Sequence, residues 1–174
     1  MEKKAGKRDW HVLFRGRYTE LFRKPKILIR QTGDSIIAAV DNEVGYYCIN
    51  SVNVALIKEE FLPKIWFFVG LLNSRMMNFF YREISQEGGR VLAEVKPQRI
   101  RLLPIAQGTA ACEAAVTKLV MRISRERAKN PSLDTSEFER ELDQQVYSLY
   151  RLTSDEIRVV EASGEQHAQA SATK

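Results

Sequence analysis

Cationic side chains set around a diglycine are the residues of this chain whose types and spacing could do chemistry. In Gln86-Glu87-Gly88-Gly89-Arg90 the glycines allow close backbone approach to a nucleic acid, and Arg90 can reach a base edge. Guanine presents two acceptors in the major groove that suit a guanidinium. Lys96, Arg99 and Arg101 follow in a basic, strand-like piece. In an extended segment Arg99 and Arg101 share a face, which suits contact with successive phosphates. Arg30-Gln31-Thr32 closes an apolar strand and offers further polar groups at a hairpin tip. Lys24, Lys26 and Arg82 complete the candidate DNA-binding set. Each has a plainer alternative: an ordinary connector for the diglycine, a solvated strand face for the charge run, a solvated turn for the tip.

Catalytic chemistry is sparse. There is no glycine-rich phosphate loop, no nucleophile elbow and no cluster with metal-ligand spacing. Glu94-Val95-Lys96 imitates the second half of a magnesium-dependent nuclease motif, but no Asp turn precedes it. His11 lies beside a basic tail and His167 in a small, polar tail, so both read as surface or half-packed histidines. A methyltransferase would need a glycine-rich cofactor loop after a strand and an Asn/Asp-Pro-Pro-aromatic tetrapeptide, and the chain has neither. A binding module therefore outranks an enzyme, with no catalytic, cofactor or metal residue assigned.

At 174 residues and 44% hydrophobic content the chain suits one packed core with a helical appendage. Lys and Arg total 27 against 22 Asp and Glu, giving +5 and a pI near 9.3. The first thirty residues are strongly basic, whereas Asp134, Glu137, Glu139, Glu141, Asp143, Asp155, Glu156 and Glu161 make the C-terminal part acidic. A basic end facing phosphates and an acidic end facing away is the simplest use of that asymmetry. Cys48 and Cys112 fit neither a disulfide framework nor a metal spacing, so a reducing cytoplasm is expected. The basic start runs into Asp9-Trp10-His11 rather than a long apolar segment, so no secretory signal is expected. Residues 65–81 are the one membrane candidate, and Asn73, Ser74, Arg75 and Asn78 interrupt them before the roughly 20 apolar residues a span needs.

The elements that must position these residues follow from pattern. Residues 1–9 read as a disordered basic tail. Residues 10–107 read as a sheet-plus-helix domain, 108–162 as a helical extension and 163–174 as a disordered tail. The sequence predicts short strands at 10–14, 26–30, 35–40 and 45–49, with 52–57 as a further candidate. A buried helix over 64–84 is predicted next, with Gly70 marking close packing, and an extended run over 91–105. Trp66, Phe67, Phe68, Phe79, Phe80 and Tyr81 read as core rather than base-stacking platforms. Helical spacing then marks one helix from 110 and another carrying Phe138, Leu142, Val146, Leu149 and Tyr150. Thr153-Ser154-Asp155-Glu156 is a capping box opening a last short helix through Val160. The fold class expected is α+β: a small, curved, mostly antiparallel sheet packed with a buried helix, followed by a C-terminal helical pair.

The order of several motifs resembles a known family. Lys24-Pro25-Lys26-Ile27-Leu28-Ile29-Arg30 comes first, then Gly45-Tyr46-Tyr47 with Asn50-Ser51, then Leu71-Leu72-Asn73-Ser74 and Phe79-Phe80-Tyr81. Leu103-Pro104-Ile105 and the acidic-helix run Val146-Tyr147-Ser148-Leu149-Tyr150-Arg151-Leu152-Thr153 close the series. Together they resemble the TaqI-like C-terminal specificity domain of adenine DNA methyltransferases and type IIG restriction-modification enzymes, over about 24–160. The resemblance implies a target-recognition domain reading the major groove of double-stranded DNA. An N-terminal methyltransferase domain of the parent protein would bind S-adenosylmethionine, with magnesium a further parent cofactor, and flip the target adenine. This family fixes no base-contacting residues across specificities, so the candidate residues above rest on charge and loop position. The alternative is a specificity-subunit scaffold that docks a methylation subunit through its C-terminal helices.

Overall fold

The computed structural model describes residues 19–87 and 92–172. Its centre is α2 (Ile65–Asn73), whose apolar positions wrap nearly the whole circumference. Such a helix is stable only when buried on several sides. One side of α2 faces a three-stranded antiparallel sheet, and another faces α5 (Ala110–Lys129). The sheet has order β2-β1-β3, from β1 (Lys26–Arg30), β2 (Ala38–Asp41) and β3 (Val52–Leu56). Ile27, Ile29 and Ala38 from the sheet, Phe67, Leu71, Met77 and Tyr81 from the helices, and Val116, Val120, Leu142 and Val146 beyond them form one core. The α+β architecture expected from the sequence is the one observed.

Close approach of α2 and α5 depends on Gly70. A Cβ there would lie 2.6 Å from Val116 Cγ1 and 2.8 Å from Val120 Cγ2.

The helix predicted over 64–84 is two helices. A 3₁₀ segment, Glu59–Lys64, holds Pro63, and α2 then ends at Asn73. Ser74 turns extended (φ −66°, ψ 152°) and caps α3 (Arg75–Ser85) by accepting from the Met77 N–H at 3.2 Å. Its hydroxyl also donates to Leu71 O at 2.7 Å, so a buried serine satisfies groups on both sides of the break. The break presents Asn73 and Asn78 to the outer edge of β2. Asn73 accepts from the Ala38 N–H (2.8 Å) and donates to Ala38 O (2.9 Å). Asn78 pairs in the same way with Ile36, at 2.7 and 3.3 Å. Two side-chain amides thus take the place of a neighbouring strand.

The segment 45–49, expected as a strand, is irregular, and β3 is the third strand. The cause is Asp41, whose carboxylate accepts from the N–H groups of Gly45 (3.0 Å) and Tyr46 (2.7 Å) and draws the chain into a turn. Gly45 takes φ +74° and abuts the backbone of α1 (Thr19–Arg23), while Tyr47 stacks on Phe22 at 4.9 Å. The strand expected at 10–14 lies outside the described residues.

After α4 (Pro97–Ile100), α5 and α6 (Ser136–Tyr150) form the expected helical pair. Arg127 joins them through Glu139 (2.7 Å) and Thr135 (2.9 Å), and Arg122 lies 4.0 Å over the Phe138 ring. Asp143 of α6 reaches the start of α3, accepting from the Arg75 N–H at 2.8 Å with Arg75 Nε at 3.3 Å. Burial pushes its carboxyl up to about 6; Arg75 opposes the shift, and Glu139 and Glu161 add to it. The capping box is formed: Thr153 N–H donates to Glu156 (2.7 Å) and Glu156 N–H to Thr153 Oγ1 (3.4 Å). The helix it opens, α7, runs Ser154–Ala172, through the stretch expected to be a disordered tail. Alanine, glutamate and glutamine have high helix propensity, and α7 also packs on α3. Arg82 donates to Ser163 at 3.3 Å, and His167 Nε2 lies 3.2 Å from Asp34 and 3.1 Å from Ser35.

Candidate nucleic-acid interface

Among the described residues singled out in the sequence, Arg30, Gln31, Thr32 and Lys96 come together at the Arg30 end of β1. Beyond Arg30 the chain bends through Gly33 at φ +116°, and the guanidinium of exposed Arg30 lies over that glycine. A Cβ on Gly33 would sit 2.8 Å from Arg30 Nη2. Gln31 is held on both sides of the strand end, its N–H donating to Ser51 O (2.9 Å) and its carbonyl accepting from the Val95 N–H (2.7 Å). Thr32 is exposed and bridges Glu94, and the Gly33 N–H donates to Ala93 O at 2.9 Å.

Residues 93–96 are therefore stapled to the hairpin tip. Two residues that sequence reasoning did not single out for this role complete the staple. Asn53 on β3 donates from Nδ2 to Val95 O at 2.9 Å. Tyr81, fully buried on α3, accepts from the Lys96 N–H at 2.9 Å and donates to Glu94 O at 3.3 Å. Burial raises the Tyr81 phenol above its ordinary range, and the Lys96 N–H works against that shift. The polar tip of an otherwise buried aromatic needs a partner, so Tyr81 carried a signal, but its partners were not legible.

Gly88, Gly89 and Arg90 lie outside the described residues. The frame on either side of them is described. Glu87 and Lys96 meet across it at 2.6 Å, with the Glu87 side chain almost wholly buried and the Lys96 side chain 44% exposed. That pairing engages the lysine of Glu94-Val95-Lys96 with Glu87. Among the described residues no group of three or more His, Cys, Asp and Glu could hold a metal ion.

Arg99 and Arg101 are exposed, but the run carrying them is not extended. Pro97 opens a helical turn, its fixed φ suiting the first position. Arg99 and Ile100 N–H groups donate to Lys96 O, and Arg101 N–H to Pro97 O. Ile100 and Leu103 turn toward the core. Residues two apart on a helix point to nearly opposite sides, so Arg99 and Arg101 do not share a face as expected.

Two residues of the set, Lys24 and Lys26, lie apart from this end. Lys24 is exposed at the opposite end of β1. Lys26 is fully buried: its ammonium is ion-paired with Asp41 and donates to Phe22 O. Burial works against the Asp41 carboxylate, but Lys26 and the N–H groups of Gly45 and Tyr46 outweigh it and hold the acid below its usual range. Lys26 is a structural residue with no surface to offer a phosphate. Arg82 is half-buried in the groove between α3 and α7; burial lowers its guanidinium, and Asp34 and Glu83 counter that.

Of the aromatics read as core, Phe67 and Tyr81 are buried in it and Trp66, Phe68 and Phe80 pack against it, whereas Phe79 is only partly buried and stands outside that cluster. Cys48 and Cys112 are free and half-buried. Among the described residues no helix is long and apolar enough to cross a membrane.

No curated protein matches the chain. The model of the TaqI-like C-terminal specificity domain matches residues 2–105, which takes in the sheet, α2 to α4 and the whole of the stapled end, and stops before α5. More than half of the sequence is covered, and the chain belongs to the family of TaqI-like C-terminal specificity domains, the noncatalytic DNA-specificity domains of restriction-modification enzymes.

Proposed function

We propose that this chain reads a specific sequence in double-stranded DNA through the Arg30 end of its sheet, as the target-recognition domain of an adenine methyltransferase or methyltransferase-endonuclease. One observation carries the reading. The staple through Gln31, Gly33, Asn53 and Tyr81 joins the hairpin tip to residues 93–96, the frame of the diglycine loop. Arg30, Thr32, Lys96 and Arg99 then stand at one end of the molecule on a rigid base. Cations there would meet phosphates, while Gln31, Thr32 and Arg90 would be the groups available to base edges. S-adenosylmethionine and the methyl-transfer chemistry belong, in this reading, to an N-terminal domain of the parent protein, with magnesium needed only for cleavage.

The alternative, a scaffold docking a methylation subunit through α6, has less to use. Leu142, Val146 and Tyr147 are already buried within the chain, and Leu149 and Tyr150 are packed against the same core.

Fluorescence anisotropy with a randomised duplex pool, against a heparin competitor at low salt, tests the proposal. Retention of duplex binding, with a subset of sequences enriched on selection, is the expected result. Equal competition by heparin with no enriched sequence would overturn it.

A further inference from the structure

The hairpin tip is gripped from two sides. On one, Gln31 and Gly33 bond to residues 93–95, and the Ile36 N–H donates to Asn78 of α3. On the other stands α7, which the family match, ending at residue 105, does not include. Val160 buries the middle of α7 in the protein. Ser163 and His167, three and seven residues further along, fall on the same side of the helix. Arg82 of α3 donates to Ser163 at 3.3 Å, and His167 Nε2 lies 3.2 Å from Asp34 Oδ1 and 3.1 Å from Ser35 Oγ. The Ser35 hydroxyl already donates to Asp34 Oδ1 at 3.3 Å. With that proton committed, the ring nitrogen of His167 is the donor to both oxygens. Asp34 directly follows Arg30-Gln31-Thr32-Gly33, where an outward carboxylate would repel a phosphate backbone. With His167 on it and the Arg82 charge beside it, the Asp34 side chain is only 21% exposed.

We propose that His167 is a positioning residue for sequence reading: donating to Asp34 and Ser35, it latches the hairpin tip to α7, sets the angle at which Gln31 and Thr32 meet base edges, and turns the Asp34 carboxylate away from the DNA. Its purpose, though not its geometry, rests on DNA being read at the Arg30 end. Gly33, at φ +116°, explains why a latch is needed. Glycine there is a pivot with no side chain to brace it. Main-chain bonds hold Gly33 and a side-chain amide holds the Ile36 N–H, whereas Asp34 and Ser35 between them are held by α7 through their own side chains. Contacts from Arg30 and Arg99 to phosphates carry no sequence information, and base contacts do. Losing the latch therefore costs preference among duplexes more than affinity for any duplex.

Amide exchange and duplex selection on the full chain test this with His167→Ala and His167→Gln. Alanine is the better helix former, so α7 persists, and glutamine keeps an N–H donor on an uncharged side chain. In His167→Ala the Gly33 and Ile36 amides are expected to exchange roughly fivefold faster, the scale of one lost hydrogen bond, while Ile27 and Ile29 are unchanged. Preference for the selected duplex over a randomised one should fall by a similar factor, and His167→Gln should restore both. Unchanged Gly33 and Ile36 exchange in His167→Ala would overturn the latch, as would failure of His167→Gln to restore it. Faster exchange with the sequence preference intact would refute the positioning role. So would an equal loss of affinity for both duplexes, since His167 would then be a DNA contact itself. Should exchange respond as expected in a native chain that prefers no sequence, the latch stands and DNA reading at the Arg30 end falls.

Discussion

Lys26 and Asp143 are charged residues buried for different purposes, and each has a measurable signature. Lys26 is fully enclosed and satisfied by Asp41 and Phe22 O. Lys26→Met would leave the Asp41 carboxylate buried without its cation, so denaturant unfolding should show a loss of about 3 kcal/mol or more. Its side chain has no exposed surface, so the salt slope of DNA binding should be unaffected. Asp143 behaves in the opposite sense to a stabilising surface carboxylate. Its folded value of about 6 lies above the roughly 3.9 of an unfolded chain. Between those values the native state keeps a proton that the unfolded state has released, so stability falls as pH rises through the window. Above it the ionised group costs about 3 kcal/mol relative to acid. Asp143→Asn keeps an acceptor for the Arg75 N–H and removes the titration. Its stability relative to the native chain should improve between pH 4 and 7 by up to that amount, and parallel pH profiles would refute the assignment.

At the scale of elements, the break at Ser74 and the contact at Gly70 explain why α2 can serve two layers. Substituting alanine for a helical glycine normally favours the helix by about 1 kcal/mol. Here the new methyl would meet β-branched Val116 and Val120 inside 3 Å, and neither can retreat as a flexible side chain would. Gly70→Ala should therefore lower the melting temperature, by a net destabilisation of about 2 kcal/mol; a gain in stability would show that α5 shifts freely. The sequence made Gly70 suspicious and made β1, α5, α6 and the capping box plain, because apolar period and capping chemistry are local signals. Where the outcome depended on a distant partner, the sequence misled. Residues 45–49 have strand-forming side chains, but the Asp41 carboxylate bends them into a turn. Asn73 looked like an interruption of one helix, yet it marks a helix end and closes the β2 edge. The polar composition of 163–172 suggested disorder, whereas its helix formers continue α7.

Over the whole molecule, charge separation by sequence position translated only partly into a surface. The tip residues Arg30, Gln31 and Thr32 and the segment ending at Lys96 do come together, through main-chain bonds that residue types could not announce. Lys24 and Lys26, prominent in the basic N-terminal stretch, lie at the far end of β1, one exposed and one buried. Arg82 is drawn toward Ser163 of α7. In the proposed function DNA meets the Arg30 end and not the Lys24 end. Each phosphate contact removed lowers the slope of log affinity against log salt by about 0.9. The deciding measurement is that slope for Arg30→Gln and Arg99→Gln beside Lys24→Gln, on one duplex. The slope is expected to fall by about one in each of the first two and to stay unchanged in the third. A reduced slope for Lys24→Gln, with Arg30→Gln and Arg99→Gln indistinguishable from the native chain, would contradict that reading.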